Sequence, residues 1–214
     1  MKKKMVPLLA ILAIVGSAVM IYRTQFSTAQ KFDLNPYQAL GAGVAEETAK
    51  LLGKKGSVLV VSQDTSEFRN DAIEGQLSAF QKMITKSGVS IASILNYKLK
   101  PMDRMATGGA VTRDQFLELL QSNPNAGAVV LFCGFPPLAA GDYEMMRQRG
   151  LKFVLVSGYS SSIKKFLEAQ VIHLAVIPQF ETPPATAKTP KTLREWFERD
   201  YLVITPETTK TLPY

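Results

Sequence analysis

Cysteine and histidine are almost absent from this 214-residue chain, which has one of each, Cys133 and His173. A lone cysteine excludes an internal disulfide and any cysteine-based zinc site. A single imidazole leaves too little for a histidine metal centre or proton relay. Phosphate-cradling and nucleophile motifs are missing too. No G-x-G-x-x-G follows the first apolar run, and there is neither a P-loop nor a G-x-S-x-G elbow. The Gly108-Gly109 pair sits in a loop without the flanking strand a phosphate cradle needs. Glu46 and Glu47 are adjacent carboxylates on a helix face expected to be solvated. Nowhere do a nucleophile, a base and an orienting group come together. The expectation is a protein with no catalytic residues, no metal and no cofactor.

Acid is missing from the first 30 residues, which hold Lys2, Lys3, Lys4 and Arg23. Setting those four aside from the 25 basic residues leaves 21 against 18 acids, so the formal charge of +7 falls to +3. A domain so near neutral has no phosphate-binding face, and nucleic acid is not expected as a partner.

What is present begins with an apolar run from Met5 to Tyr22, after three lysines and before Arg23. About 18 such residues span a bilayer core as a helix, and the basic flank stays cytoplasmic. Residues 1–23 are therefore read as a signal anchor in an inner or plasma membrane. Its rival is a cleaved signal peptide, with small residues at Gly16 and Ala18 or at Ser27 and Ala29. Either way the rest lies in the periplasm or outside the cell. Residues 24–34 are read as a linker, 35–207 as one exported domain and 208–214 as a tail.

Within that domain β and α patterns alternate. Asn35 is read as the cap of a helix with Pro36 in its first turn, ended by Gly53. Ser57–Ser62 is a β-branched run of the kind buried on both faces of a parallel sheet. A helix over 67–86, a strand over 89–95 and a helix over 112–121, capped by Thr112 with Gln115 three residues on, follow. Further strands are expected at 128–132, 153–156 and 171–177, separated by helices near 140–149 and 161–169. A helix at 191–199 and a last strand at 201–204 close the domain. The order predicts a doubly wound, mostly parallel α/β sheet of five or six strands with helices on both faces.

Ligands of such sheets settle at the carboxyl ends of the strands. That rule nominates Asp64, Ser66 and Arg69 after the first strand and Phe135 after the third. It adds Ser157, Tyr159 and Ser160 after the fourth and Gln179 after the fifth. The Ser157–Ser162 turn offers hydroxyls and N–H groups to an anion, or simply caps the helix that follows. Asp64 either accepts from a hydroxylated ligand or shapes its own turn. Phe135 and Tyr159 either stack on a flat ligand or a sugar ring, cover the sheet end, or meet a protein. Cys133 reads as a small buried hydrophobe. His173 falls in a strand-like run, where it bonds a neighbour.

Asn35–Gly41, Leu51–Val61 and Ala72–Phe80 resemble the helix, strand and helix that open the second lobe of sugar-type periplasmic binding proteins. Asn125–Phe132, Leu151–Ile177 and Tyr201–Glu207 are similar to that lobe's later strands and ending. The resemblance implies that lobe's fold over residues 35–207 and binding of a small polar solute such as a sugar. Two departures bear on function. Only one lobe's worth of chain is present, which makes half a cleft unless a second chain completes it. Polar residues follow the family's third and fourth strands, where this chain has Cys133-Gly134-Phe135-Pro136-Pro137 and Ser157-Gly158-Tyr159.

Two functions therefore stand. The first is a membrane-anchored accessory or scaffold subunit docking on other membrane or envelope proteins. Its interface would use Phe135, Pro136, Pro137 and Tyr159 with Trp196, Phe197, Tyr201 and Tyr214. The second is a tethered solute-binding or sensing module that completes its cleft as a homodimer.

Overall fold

The computed structural model describes residues 14–20, 32–98, 109–156, 161–181 and 188–211. Residues 14–20 are helical and exposed, including Ile14, Val15, Val19 and Met20. Among the described residues no helix is long and apolar enough to cross a membrane. Most of the expected Met5–Tyr22 span lies outside them.

From Leu34 onward helices and strands alternate: α1 (Asn35–Leu51), β1 (Ser57–Gln63), α2 (Asp71–Lys86), β2 (Ser90–Tyr97), α3 (Arg113–Ser122) and β3 (Ala128–Leu131). Then come α4 (Ala140–Gln148), β4 (Lys152–Val156), α5 (Ser161–Glu168), β5 (Leu174–Pro178), α6 (Leu193–Asp200) and β6 (Tyr201–Ile204). A 3-10 turn at Pro206–Thr211 follows. The strands form one sheet in the order β2-β1-β3-β4-β5-β6. All neighbours are parallel except β6, which runs antiparallel to β5.

Alternate side chains of the buried strands feed two cores. Leu59, Val61, Val129, Leu131, Phe153 and Leu155 meet Phe116 and Leu120 of α3, Met146 of α4, and Ile163 and Leu167 of α5. Val58, Val60, Val130, Val154 and Val176 meet α1, α2 and α6 through Val44, Phe80, Ile84, Trp196 and Phe197. The doubly wound arrangement follows from strands that are apolar on both faces.

Several boundaries differ from the sequence expectation. α1 is not capped by Asn35, because the helix starts at that residue and the Leu34 carbonyl accepts from Gln38 N–H at 2.9 Å. α2 starts at Asp71 rather than 67, because the Asn70 side chain accepts from the N–H groups of Ala72 and Ile73. The Thr112–Gln115 capping box of α3 is present as read. β2 carries a bulge at Ala92, so that Val58 pairs with Ile91 and Leu59 with Ser93. The extra residue places Ile91 and Ile94, three apart, on the same face of the sheet.

The fifth strand starts at Leu174, not Val171. His173 lies just before it and replaces a missing ladder bond, with its Nδ1 accepting from Phe153 N–H at 3.3 Å. His173 N–H in turn donates to Phe153 O at 2.9 Å. Burial, and secondarily the Lys152 ammonium, push the imidazole down to about 4. An unfolded His titrates near 6.5, so the neutral form's contribution is complete above that pH and is lost as pH falls towards 4. His173 is partly exposed, and screening reduces the contribution to about 1 kcal/mol. Between about pH 7 and about pH 4.5 the wild type should lose about 1 kcal/mol more than His173→Gln, measured by urea unfolding. Parallel curves for the two proteins would refute this role for His173.

α6 is held by charge. Arg194 Nη1 lies 3.1 Å from Glu46 and 3.4 Å from Glu47, while its Nε meets Glu198 at 2.7 Å. The Glu46-Glu47 pair is thus half-buried at a helix junction, not on a solvated face. Trp196 and Phe197 are buried beneath it, so neither belongs to an exposed aromatic tail.

Candidate functional site

The order β2-β1-β3 places the topological switch point at β1, with α2 on one face of the sheet and α3 on the other. The crevice therefore lies above the carboxyl ends of β1 and β3. Part of it is taken by the chain itself. Tyr97 Oη donates to Gly109 O at 2.6 Å, and Ala110 and Val111 are fully buried. A side chain added at Gly134 would meet Ala110 Cβ at 3.3 Å. Cys133 lies beneath, buried as expected, and desolvation raises its thiol to about 11. A thiol so placed is protonated and unreactive at neutral pH.

The rim of the crevice is polar. Asp64 Oδ1 accepts from Ser66 N–H at 2.9 Å and Oδ2 from Ser66 Oγ at 3.0 Å. The Ser66 backbone bond is the main reason that the Asp64 carboxyl lies below its usual range, followed by the Ser66 hydroxyl. This is the turn-forming role of Asp64, which leaves one lone pair on each oxygen for a ligand. Arg69 is exposed, with Asp71 at 2.9 Å and Glu74 at 3.4 Å. Lys98, at the end of β2, meets Glu67 at 2.8 Å. Asp64, Ser66 and Arg69 thus come together in one loop.

Phe135 covers the sheet end, one of the roles the sequence left open to it, whereas Gln179 is employed otherwise than as a ligand residue. The Phe135 ring is partly buried in an aromatic cluster, 5.0 Å from Phe166, 6.2 Å from Phe153 and 6.5 Å from Tyr143. It is not a free ring for stacking. Pro136 beside it is buried as well, whereas Pro137 is exposed. Gln179 Nε2 donates to the carbonyls of Tyr201 at 3.3 Å and Glu198 at 3.4 Å, and its N–H donates to Asp200 O. Its amide pins the α6–β6 corner. Ser157, Tyr159 and Ser160 lie outside the described residues.

Phe68 was missed by the sequence reading. It stands in the β1–α2 loop with 83% of its surface exposed. Phe180, two residues past the end of β5 at the same end of the sheet, is 47% exposed. The available signal was an aromatic residue within the polar stretch Asp64–Asp71, ahead of the helical apolar spacing. Clefts also open at the opposite, amino-terminal end of the sheet. One of about 200 Å³ is lined by Tyr143, Arg147, Lys152, Phe153, Gln170 and His173.

No family model matches the chain, and no curated protein sequence matches it. Solved structures do. An arabinose-binding protein from Geobacillus stearothermophilus, AraP, superposes with TM-score 0.54 at 14% identity, covering 84% of this chain and 64% of its own. A periplasmic solute-binding protein of an ABC transporter from Actinobacillus succinogenes 130z, with bound D-allose, has TM-score 0.54 at 12% identity, covering 83% and 61%. A chain of the XylFII-LytSN complex has TM-score 0.52 at 12% identity, covering 80% and 60%. The chain spans less than two thirds of the length of each of these proteins. Over the residues that superpose, the chain shares the α/β fold of part of these solute-binding proteins.

Proposed function

We propose that this protein is a non-catalytic, extracytoplasmic solute-binding or sensing module for a carbohydrate-like ligand. The carrying observation is the fold, shared with an arabinose-binding protein and with a solute-binding protein that holds D-allose. The loop of Asp64, Ser66 and Arg69 lies where an open α/β sheet receives its ligand. A carboxylate with spare lone pairs, a hydroxyl and a guanidinium suit a polyol, which needs both acceptors and donors. The lobe described here covers one side of such a ligand. The apolar run Met5–Tyr22, after Lys2–Lys4, tethers the domain to the membrane with its N-terminus inside.

The test is calorimetric titration of the full chain in mild detergent with pentoses and hexoses. Binding by the wild type that is lost in Asp64→Ala and Arg69→Ala, with unchanged melting temperature, is the expected result. Silence across the panel would sink the reading. An accessory subunit that docks on other envelope proteins is the second reading. It is supported by the exposure of Phe68 and by the chain's own Gly109–Val111 filling part of the crevice. Stoichiometric co-purification of other polypeptides, lost in Phe68→Ser, would favour it.

A further inference from the structure

We propose that the outer edge of β2 is a self-association surface, through which two copies of this chain pair antiparallel about a two-fold axis at Leu95. This goes beyond the function above by naming a partner, and it draws on that reading only for membrane confinement. Among the described residues no strand lies beyond β2. The peptide groups that face outward can be assigned. Tyr97 O accepts from Asp64 N–H at 3.0 Å, so Tyr97, Leu95 and Ser93 turn their backbone groups to β1. Ile94 and Asn96 therefore turn theirs away from it.

Natural sheets blunt such an edge with charge, proline, shortness, a covering segment or a bulge, and of these β2 has among the described residues the bulge at Ala92. The other edge of this sheet is blunted by shortness and charge. β6 has 4 residues, is antiparallel to β5, follows the Arg199–Asp200 ion pair and runs into the 3-10 turn. β2 has 8 residues, Ser90–Tyr97, with neither a charge nor a proline among them. Ile91, Ile94 and Leu95 are only partly buried. The bulge at Ala92 leaves Ser93–Tyr97 in regular register.

A second copy is the occupant this edge fits. Two-fold antiparallel pairing sets each edge against itself, so a charged edge would meet its own charge, and this one carries none. Centred on Leu95, the outward groups of Ile94 meet those of Asn96 in the partner copy. The two pairs exchange four ladder hydrogen bonds, with Leu95 facing its own copy at the non-hydrogen-bonded position. So short an edge buries less than the roughly 1,200 Å² of a stable interface. The pairing is accordingly weak in free solution and is strengthened where tethering raises local concentration.

Asn96→Pro tests the proposal, because the N–H it removes points away from β1 and proline is tolerated there in the monomer. The measurement is sedimentation equilibrium of the full chain in mild detergent over a concentration series. Wild type should dimerise, and Asn96→Pro should dissociate about tenfold more readily or not associate at all, with its circular dichroism unchanged. Asn96→Lys, which sets like charges near each other, should do the same if the proline variant misfolds. Leu95→Cys should form an intermolecular disulfide on oxidation, since Cα atoms about 4.5 Å apart are within disulfide reach. Cys133 is buried and does not compete. A wild type that stays monomeric throughout, or an Asn96→Pro chain that dimerises equally well, overturns the proposal. Sugar titration of the same samples reads the proposed function separately.

Discussion

Gly41→Ala should destabilise the domain by about 3 kcal/mol, at the upper end of overpacking costs, although alanine is the better helix former by about 1 kcal/mol. A Cβ at Gly41 would lie 1.9 Å from Gln76 O and 3.0 Å from Phe80 N. Both are backbone atoms of α2, so no rotamer change relieves the overlap. The helices would have to separate, opening the contacts of Val44 and Phe80 over the β1 face. Gly43 is two residues on, and a Cβ there would meet the buried Phe197 ring at 2.2 Å. Because that obstacle is a side chain, Gly43→Ala should cost less, about 2 kcal/mol. Gly141 in α4 has nothing within 4 Å, so Gly141→Ala should be neutral or slightly stabilising. Equilibrium denaturation followed by far-UV circular dichroism measures all three. If Gly41→Ala proved as stable as Gly141→Ala, the close approach of α1 and α2 would be wrong.

Phe135→Ala should cost about 2–3 kcal/mol of stability, less than the 3–5 kcal/mol of a fully buried phenylalanine because the ring is partly exposed. It bridges Tyr143 of α4, Phe153 of β4 and Phe166 of α5, closing the end of one core. Truncation therefore loses contacts in three elements at once. Phe135→Leu should recover about half of the loss by refilling the space. The two roles of this ring predict opposite patterns. A ring stacking on ligand would lose affinity and leave the unfolding midpoint where it was, whereas a packing ring shifts the midpoint. An unchanged midpoint for Phe135→Ala would return the residue to the ligand face.

Phe135 and Gln179 illustrate why part of the site was illegible in the sequence. Both follow a strand, and a strand end is where ligand residues and corner-packing residues are equally at home. Phe135 was claimed by Phe166, some 30 positions later, and Gln179 by the carbonyls of Glu198 and Tyr201. Nothing near either residue in sequence announces those partners. Asp64 was half legible, because its hydrogen bonds reach only two residues on to Ser66.

What the sequence determined by itself is the local alternation. β-branched runs such as Val58–Val61 extend, amphipathic spacing such as Ile73, Leu77, Phe80 and Ile84 coils, and Thr112 with Gln115 starts a helix without outside help. These choices depend on periods of two and 3.6 residues and on hydrogen bonds within one turn. The near-neutral charge of the domain and its missing catalytic motifs were equally plain. Tertiary structure alone decided which neighbours use those elements. It paired β2 with β1 at one end of the described sheet, brought α1 within backbone reach of α2 so that only glycine fits at Gly41, and set His173 to complete a ladder bond with Phe153. Each of those outcomes is a contact between residues at least 20 positions apart, whose energy is realised only after the whole sheet has closed.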